Sequence, residues 1–331
     1  MSEYIYGLRQ RTGRKPVIKK LGAVRAGIEQ TPVVFNGRPI MVESRLGGTD
    51  GADVQHIRVI DLETNEVYAI LGNDHYFASA YAENGTLYIF CTDMHDSEAM
   101  TMFDTDKGEE AWHDNRGGHN VCMYKTRDFK SFEYKEIINC PQKRFWNTSV
   151  CKGEDGYVMA IEVSAEDGFP NEKIGVHFTE FFAKSADLEN WEMLPDEYSY
   201  TPVRYNACPA LRYFDGYYYM ICLEELPALR YAPYVYRTKD FLHFEVGFHN
   251  PVMMYGDDDR VICPDCEKNF DERERDLLYN GLNINCSDVD LFEYGGKTVI
   301  YYANGDQMSY AFLCKAEYDG KMQDLLEGFF K

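Results

Sequence analysis

Apolar and polar positions alternate along this chain in five long runs, each interrupted near its middle by a glycine. The runs cover 31–43 about Gly37, 75–91 about Gly85, 147–162 about Gly156, 206–224 about Gly216 and 288–303 about Gly296. Their flanks are rich in aromatic and β-branched residues, which suit a pleated surface. Asn-Gly or Asp-Gly between such flanks is a strong hairpin signal. Each run therefore predicts two antiparallel strands.

A second pattern follows some of these hairpins. Lys125-Thr-Arg-Asp-Phe-Lys-Ser-Phe132, Lys184-Ser-Ala-Asp-Leu-Glu-Asn-Trp191 and Arg237-Thr-Lys-Asp-Phe-Leu-His-Phe244 share one order: basic, hydroxyl, any, Asp, Phe or Leu, any, any, aromatic. A weaker copy is Arg58-Val-Ile-Asp-Leu62. Asp and Ser/Thr bond turn amides readily, so this pattern predicts a tight turn between two further strands. The two hairpins together make a four-stranded unit. It recurs roughly every 50–70 residues, near the spacing of propeller blades with added loops. Five units fill the chain. The expectation is an all-β, five-bladed β-propeller of four-stranded antiparallel blades, a single domain over 1–331. A β-sandwich is the alternative, and the repeated four-strand unit argues against it. The best helix signal, Asp271-Glu-Arg-Glu-Arg-Asp-Leu-Leu278, lies in an insertion between units four and five.

Composition narrows the partners. Thirty-four basic and 55 acidic residues leave a net charge of −21, a field that repels nucleic acid and anionic membranes. There is no apolar run of signal-peptide or membrane-spanning length, so the expected location is cytoplasmic and the ten cysteines are expected to be reduced. Cys263-Pro-Asp-Cys266 is a lone C-x-x-C pair and assigns no metal. The 26 Tyr and 20 Phe suit strand packing and also stacking on sugar rings. Nothing in the sequence indicates an oligomeric state.

In a propeller the first strand of each blade lines the central axis. Residues some way either side of each turn glycine then gather on one face. Those positions hold Glu29, Glu43, Asp74, His75, Asp93, Asn147, Glu162, Asn206, Glu224, Asp288 and Asn304. Crowded carboxyls raise one another's pKa, which is how one becomes a general acid beside an ionised base. The competing reading is a set of polar strand ends facing water.

The repeated Asp turns and the Asp-Gly-Tyr-Tyr-Tyr hairpin at 215–219 resemble the five-bladed glycoside hydrolases of families 43, 32 and 117, from about residue 28 onward. The resemblance implies an oligosaccharide substrate and carboxylate chemistry at the axis. In those families inner-strand acids precede a proline. Here Thr31-Pro32 and Ala207-Cys208-Pro209 occupy two such places and Asn147 falls near the third. Those carboxylates do not carry over. Either other acids serve, or the site binds carbohydrate without catalysis. The remaining candidates give Asp288 as base and Glu162 or Glu224 as acid. Glu43, Asp74, His75, Trp146, Asn147, Asn206 and Arg204 are then expected to contact substrate, with His75 orienting a sugar hydroxyl or donating a proton.

Arg45, Arg144 and Arg204 lie near the same strand ends and can pair with the acids or bind a uronate or phosphate. Phosphate binding keeps a glycoside phosphorylase of the family-130 kind as an alternative. The sequence assigns no cofactor and no metal set. Asp93, His95 and Asp96, with His113 and His119 in the same insertion, leave room for a bound cation such as calcium. Trp112 is a second candidate stacking platform beside Trp146.

Overall fold

A computed structural model describes residues 13–95, 117–164, 178–201, 204–307 and 309–331. Asp96, Trp112 and His113, and most of the two acidic insertions, lie outside the described residues. The first strand, β1 (Lys19–Ala26), belongs to the last blade. Blade 1 is β2 (Gln30–Phe35), β3 (Arg38–Arg45), β4 (His56–Asp61) and β5 (Val67–Leu71). Blade 2 is β6 (His75–Glu83), β7 (Thr86–Asp93), β8 (Asn120–Thr126) and β9 (Glu133–Asn139). Blade 3 is β10 (Arg144–Gly153), β11 (Gly156–Ser164), β12 (Phe178–Ser185) and β13 (Trp191–Met193). Blade 4 is β14 (Ala207–Phe214), β15 (Tyr217–Leu226), β16 (Arg230–Thr238) and β17 (Phe244–Val246). Blade 5 is β18 (Asn285–Tyr294), β19 (Lys297–Gly305) and β20 (Ala311–Tyr318), completed on its outer edge by β1. All pairings within the blades are antiparallel. The expected five-bladed propeller is the fold.

The inner strands β2, β6, β10, β14 and β18 contact one another in that order, and β18 returns to β2. The apolar core is correspondingly divided into layers between neighbouring blades. Phe35, Ile40 and Ile57 of blade 1 pack on Leu87 and Ile89 of blade 2. Phe90 and Met123 of blade 2 meet Met159 and Phe181 of blade 3. Equivalent layers join blades 3 and 4, 4 and 5, and 5 and 1. The hairpin between the first two strands turns at Asn36-Gly37, Asn84-Gly85, Asp215-Gly216 and Gly295-Gly296, with positive φ at both residues. That geometry matches the twist of the flanking strands.

The outer hairpins close as their sequence repeat predicts. In blade 3, Ser185 Oγ accepts the amides of Asp187 and Leu188, and Asp187 Oδ1 accepts those of Glu189 and Asn190 at 2.9 and 2.8 Å. Blades 2 and 4 repeat the arrangement at Asp128 and Asp240. Asp61 makes the same pair of amide bonds in blade 1. The insertion between blades 4 and 5 carries the expected helix, α1 (Glu272–Asn280). Asp271 caps it by accepting the Glu274 amide, and Glu274 bonds back to the Asp271 amide.

Candidate active site

At one height along the axis the inner strands lose their regular pairing. The register skips between Tyr76 and Ser79, Phe145 and Thr148, Ala207 and Ala210, and Ser287 and Asp290. Phe77, Cys208 and Asp288 take φ of 53°, 52° and 50°, and Glu29, directly before β2, takes 62°. Left-handed backbone at a bulky residue costs on the order of 1–3 kcal/mol and is maintained only where the surroundings enforce it. Here it recurs at matching places in four blades. The irregular backbone frees ladder amides for other work, and it brings Glu29, Asn147, Cys208 and Asp288 around one small axial cavity.

Three carboxyls meet about Asn147 and Cys208. Glu29 and Asp288 share a hydrogen bond. Burial, then the charges of Asp288 and Glu162, hold Glu29 well above the usual carboxylate range. Burial also raises Asp288, while hydrogen bonds from Ser287, Cys208 and Glu29 pull it back. Of this pair Glu29 keeps the proton and Asp288 accepts it. Glu162, on β11, accepts the Cys208 amide at 2.8 Å and the Asn147 side-chain amide at 3.1 Å. Burial still dominates and raises Glu162 to about 7. Asn147 also bonds Glu29, so one side chain bridges the two acids.

Above this floor opens a cavity of about 890 Å³, bordered by Glu29 and Glu162. Asp288 does not line it and sits in the narrower space beneath. One wall is an aromatic arc in which Tyr76, Phe77, Trp146, Phe178 and Tyr205 contact in series, with ring centroids 4.8–5.6 Å apart. Trp146, expected to contact substrate, belongs to this wall. Across from the aromatics in sequence and blade, Arg25, Arg45 and Arg58 also border the cavity. Glu43 and Asp50 hold them: Arg25 and Arg58 clamp Glu43, and Arg45 and Arg58 reach Asp50. Residues at the start of α1, including Asp271 and Glu274, complete the rim.

The expected set is thus gathered in part. Asp288, Glu162 and Asn147 converge at the axis and Trp146 lines the cavity. Glu224 does not join them. Its carboxylate is bound by Arg204 and by the Tyr236 hydroxyl on the blade-4 sheet, which also removes Arg204 from the cavity. Asn206 is wholly buried just before the bulge and does not reach the cavity. Glu43 stands behind the arginine wall. Asp74 serves its backbone to the blade connection, where its amide donates to Gln55 and its carbonyl accepts from Met94. His75 turns away from the axis and bonds the Tyr124 hydroxyl at 2.7 Å. Glu29 is among the polar residues expected at the axis, and the structure adds it to the acids of the site. Its partner Asp288 is 259 positions away, across the closure of the ring.

No protein-family model and no curated protein matches the sequence. Solved structures do match. The GH43 protein BlXynB from Bacillus licheniformis is 15% identical with a TM-score of 0.54, over 90% of this chain and 54% of that one. The GH32 β-fructofuranosidase BmSUC1 of Bombyx mori is 13% identical at a TM-score of 0.52, over 95% of this chain and 64% of that one. A β-1,2-mannobiose phosphorylase from Listeria innocua is 12% identical at 0.54, over 96% of this chain and 98% of that one. The chain has the propeller fold of these enzymes. It spans about half the length of the GH43 protein, and at such identities the likeness is one of fold.

Proposed function

We propose that this chain is a glycoside hydrolase acting on an oligosaccharide in the axial cavity, with Glu29 as general acid and Glu162 as general base. The observation that carries the reading is a pair of buried cavity-floor carboxyls bridged by Asn147, one hydrogen-bonded to a further acid and the other to two amide donors. Glu29 keeps its proton because it is buried against the Asp288 carboxylate. Glu162 ionises near 7, with two donors aimed at its anion. Such a split is what acid–base cleavage of a glycosidic bond needs. Glu29 gives its proton to the glycosidic oxygen as the bond to the anomeric carbon breaks. Glu162 takes a proton from the water whose oxygen joins that carbon. Asp288 acts through Glu29 and is a positioning residue. The aromatic arc offers flat apolar faces on which sugar rings stack.

The test is turnover of a panel of aryl glycosides and oligosaccharides by the wild type, Glu29→Gln, Glu162→Gln and Glu224→Gln. The first two variants are expected to lose about 10²–10⁴-fold in kcat with KM little changed, while Glu224→Gln retains turnover. Wild-type rates in both Glu29→Gln and Glu162→Gln would exclude the assignment. Measurable binding of oligosaccharides with no product from the wild type would favour a carbohydrate-binding propeller instead. Phosphorolysis is a second reading, supported by Arg25, Arg45 and Arg58 at the cavity wall. It ranks lower because Glu43 and Asp50 already engage all three. A sugar phosphate among the products when inorganic phosphate is present would reverse that order.

A further inference from the structure

His75 is unused by the proposed chemistry, and its surroundings have a different chemical character. In blade 2, His75 on β6 lies directly opposite Asp93 on β7, and Cys91 lies opposite Cys122 on β8. Because strand side chains alternate between faces, His75, Asp93 and Cys122 stand on one face of the sheet. Their ligand-type atoms, an imidazole nitrogen, a carboxylate oxygen and a thiol sulfur, all lie within 4.8 Å of one another. We propose that His75, Asp93 and Cys122 form a binding site for a zinc-class divalent transition-metal ion at the edge of blade 2.

The donor set fits such an ion. Nitrogen, thiolate and carboxylate together suit zinc and its neighbours, whereas calcium and magnesium take oxygen ligands. Tetrahedral zinc with bonds of about 2.0–2.3 Å places its ligand atoms on the order of 3.5 Å apart. Side-chain torsions of these three residues cover the difference. The supporting contacts are also those a metal site uses. His75 Nδ1 is engaged by the Tyr124 hydroxyl at 2.7 Å, which leaves Nε2 for the ion. The Tyr134 ring stacks on His75, and its hydroxyl lies 3.1 Å from Cys122 Sγ, placed to donate to a thiolate. His95 bonds Asp93 Oδ1 through its ring Nδ1 and its backbone amide, which orients the carboxylate. A Cβ at Gly72 would stand 3.0 Å from His75 Cβ, so the blade connection passes close to the cluster without a side chain in the way. His75 and Cys122 are buried, but His95 is about half exposed and Asp93 partly so, which gives the ion an entry path and leaves a fourth position for water.

The site is separate from the axial cavity and consistent with a structural role. An ion there ties β6, β7 and β8 together immediately before Tyr76 and Phe77, which line the cavity wall. The test uses the full chain stripped with a chelator, then titrated with Zn²⁺ by calorimetry and with Co²⁺ by absorption. The expected result is one ion per chain, a thiolate-to-cobalt charge-transfer band, and a rise in Tm on adding Zn²⁺. Cys122→Ser, nearly isosteric, should lose the charge-transfer band and the Zn²⁺-dependent rise in Tm. Asp93→Asn should weaken Zn²⁺ binding by more than about tenfold. The double change Cys263→Ser with Cys266→Ser should alter none of these. No stoichiometric binding, or an unchanged cobalt spectrum in Cys122→Ser, would overturn the proposal. So would loss of binding in the Cys263/Cys266 double variant with retention in Cys122→Ser.

Discussion

At the scale of single residues, the molecule stores protons inside. Glu29, Glu162 and Glu180 are all raised, chiefly by burial. Both oxygens of Glu180 lack a hydrogen-bond partner among the described residues, as a neutral acid tolerates better than an anion. The consequence for activity follows from Glu162. As base it must be ionised, so turnover is expected to rise with pH along a limb centred near 7, and to fall again where Glu29 finally ionises. A pH–rate profile of the wild type checks this. The consequence for stability has the opposite slope. An acid whose folded pKa exceeds its unfolded value of 4.5 binds more protons in the fold than in the unfolded chain between those pH values. Its stabilising contribution is therefore full below about 4.5 and is lost as pH climbs to about 7. For Glu162 alone that is roughly 3 kcal/mol. Glu162→Gln cannot ionise, so it should flatten the decline and be more stable than the wild type at pH 8. Urea midpoints at pH 5 and 8 for both proteins measure the difference.

The blades show what a sequence carries at the scale of elements. The alternation of period two and the Asn-Gly and Asp-Gly turns are local, so the hairpins and their order are readable without a structure. The outer turns are more legible still. Thr126, Ser185 and Thr238 accept the amides two and three residues on, and Asp128, Asp187 and Asp240 do the same in turn, so the recurring hydroxyl-x-Asp is the turn itself. Asp187 makes the point quantitatively. Its carboxylate accepts the Asn190 side chain and then two backbone amides, which hold it down at about 2. Asp187→Ala is expected to destabilise by about 1–2 kcal/mol, as loss of a comparable capping carboxylate does, and Asp187→Asn by less. Thermal or urea unfolding of the two variants compares them. The inner strands were harder to read because their bulges depend on pairing with a partner strand. A skip at Cys208–Pro209 leaves the Cys208 amide free to donate to Glu162, and no residue-by-residue pattern announces it. The same is true of His75. Its position beside polar strand ends suggested the axis, while its strand face directs it to Asp93 and Cys122.

The whole molecule depends on closing a ring, and the closure is made by the two ends of the described chain. Strand β1 pairs with β20 from Lys19 opposite Glu317 to Ala26 opposite Phe312 and so supplies the outer edge of blade 5. It does more than cover an edge. Ala23 and Val24 are buried, Ala23 exchanges backbone bonds with Val261 and Cys263 of the insertion that carries α1, and Lys20 binds the buried Asp259. At its end, Arg25 reaches into blade 1 to clamp Glu43 beside the cavity, and Glu29 follows three residues after Ala26 to meet Asp288 of blade 5. One segment thus latches the last blade to the first and delivers the proposed general acid across the seam. A chain starting at Gly27 keeps Glu29 but loses the latch. It should expose the β20 edge, leave Asp259 buried without its lysine and Glu43 with one arginine instead of two, each a costly loss for a buried charge. Such a chain is expected to melt at much lower temperature or to aggregate, by calorimetry and size-exclusion chromatography. A synthetic peptide of residues 19–26 added in trans should recover part of the loss, because the groove it fills is formed by β20 and the α1 insertion. A truncated chain that melts like the full one would mean that the blades hold the ring without β1, and that the pairing of blade 5 with blade 1 through Glu29 and Asp288 needs no latch.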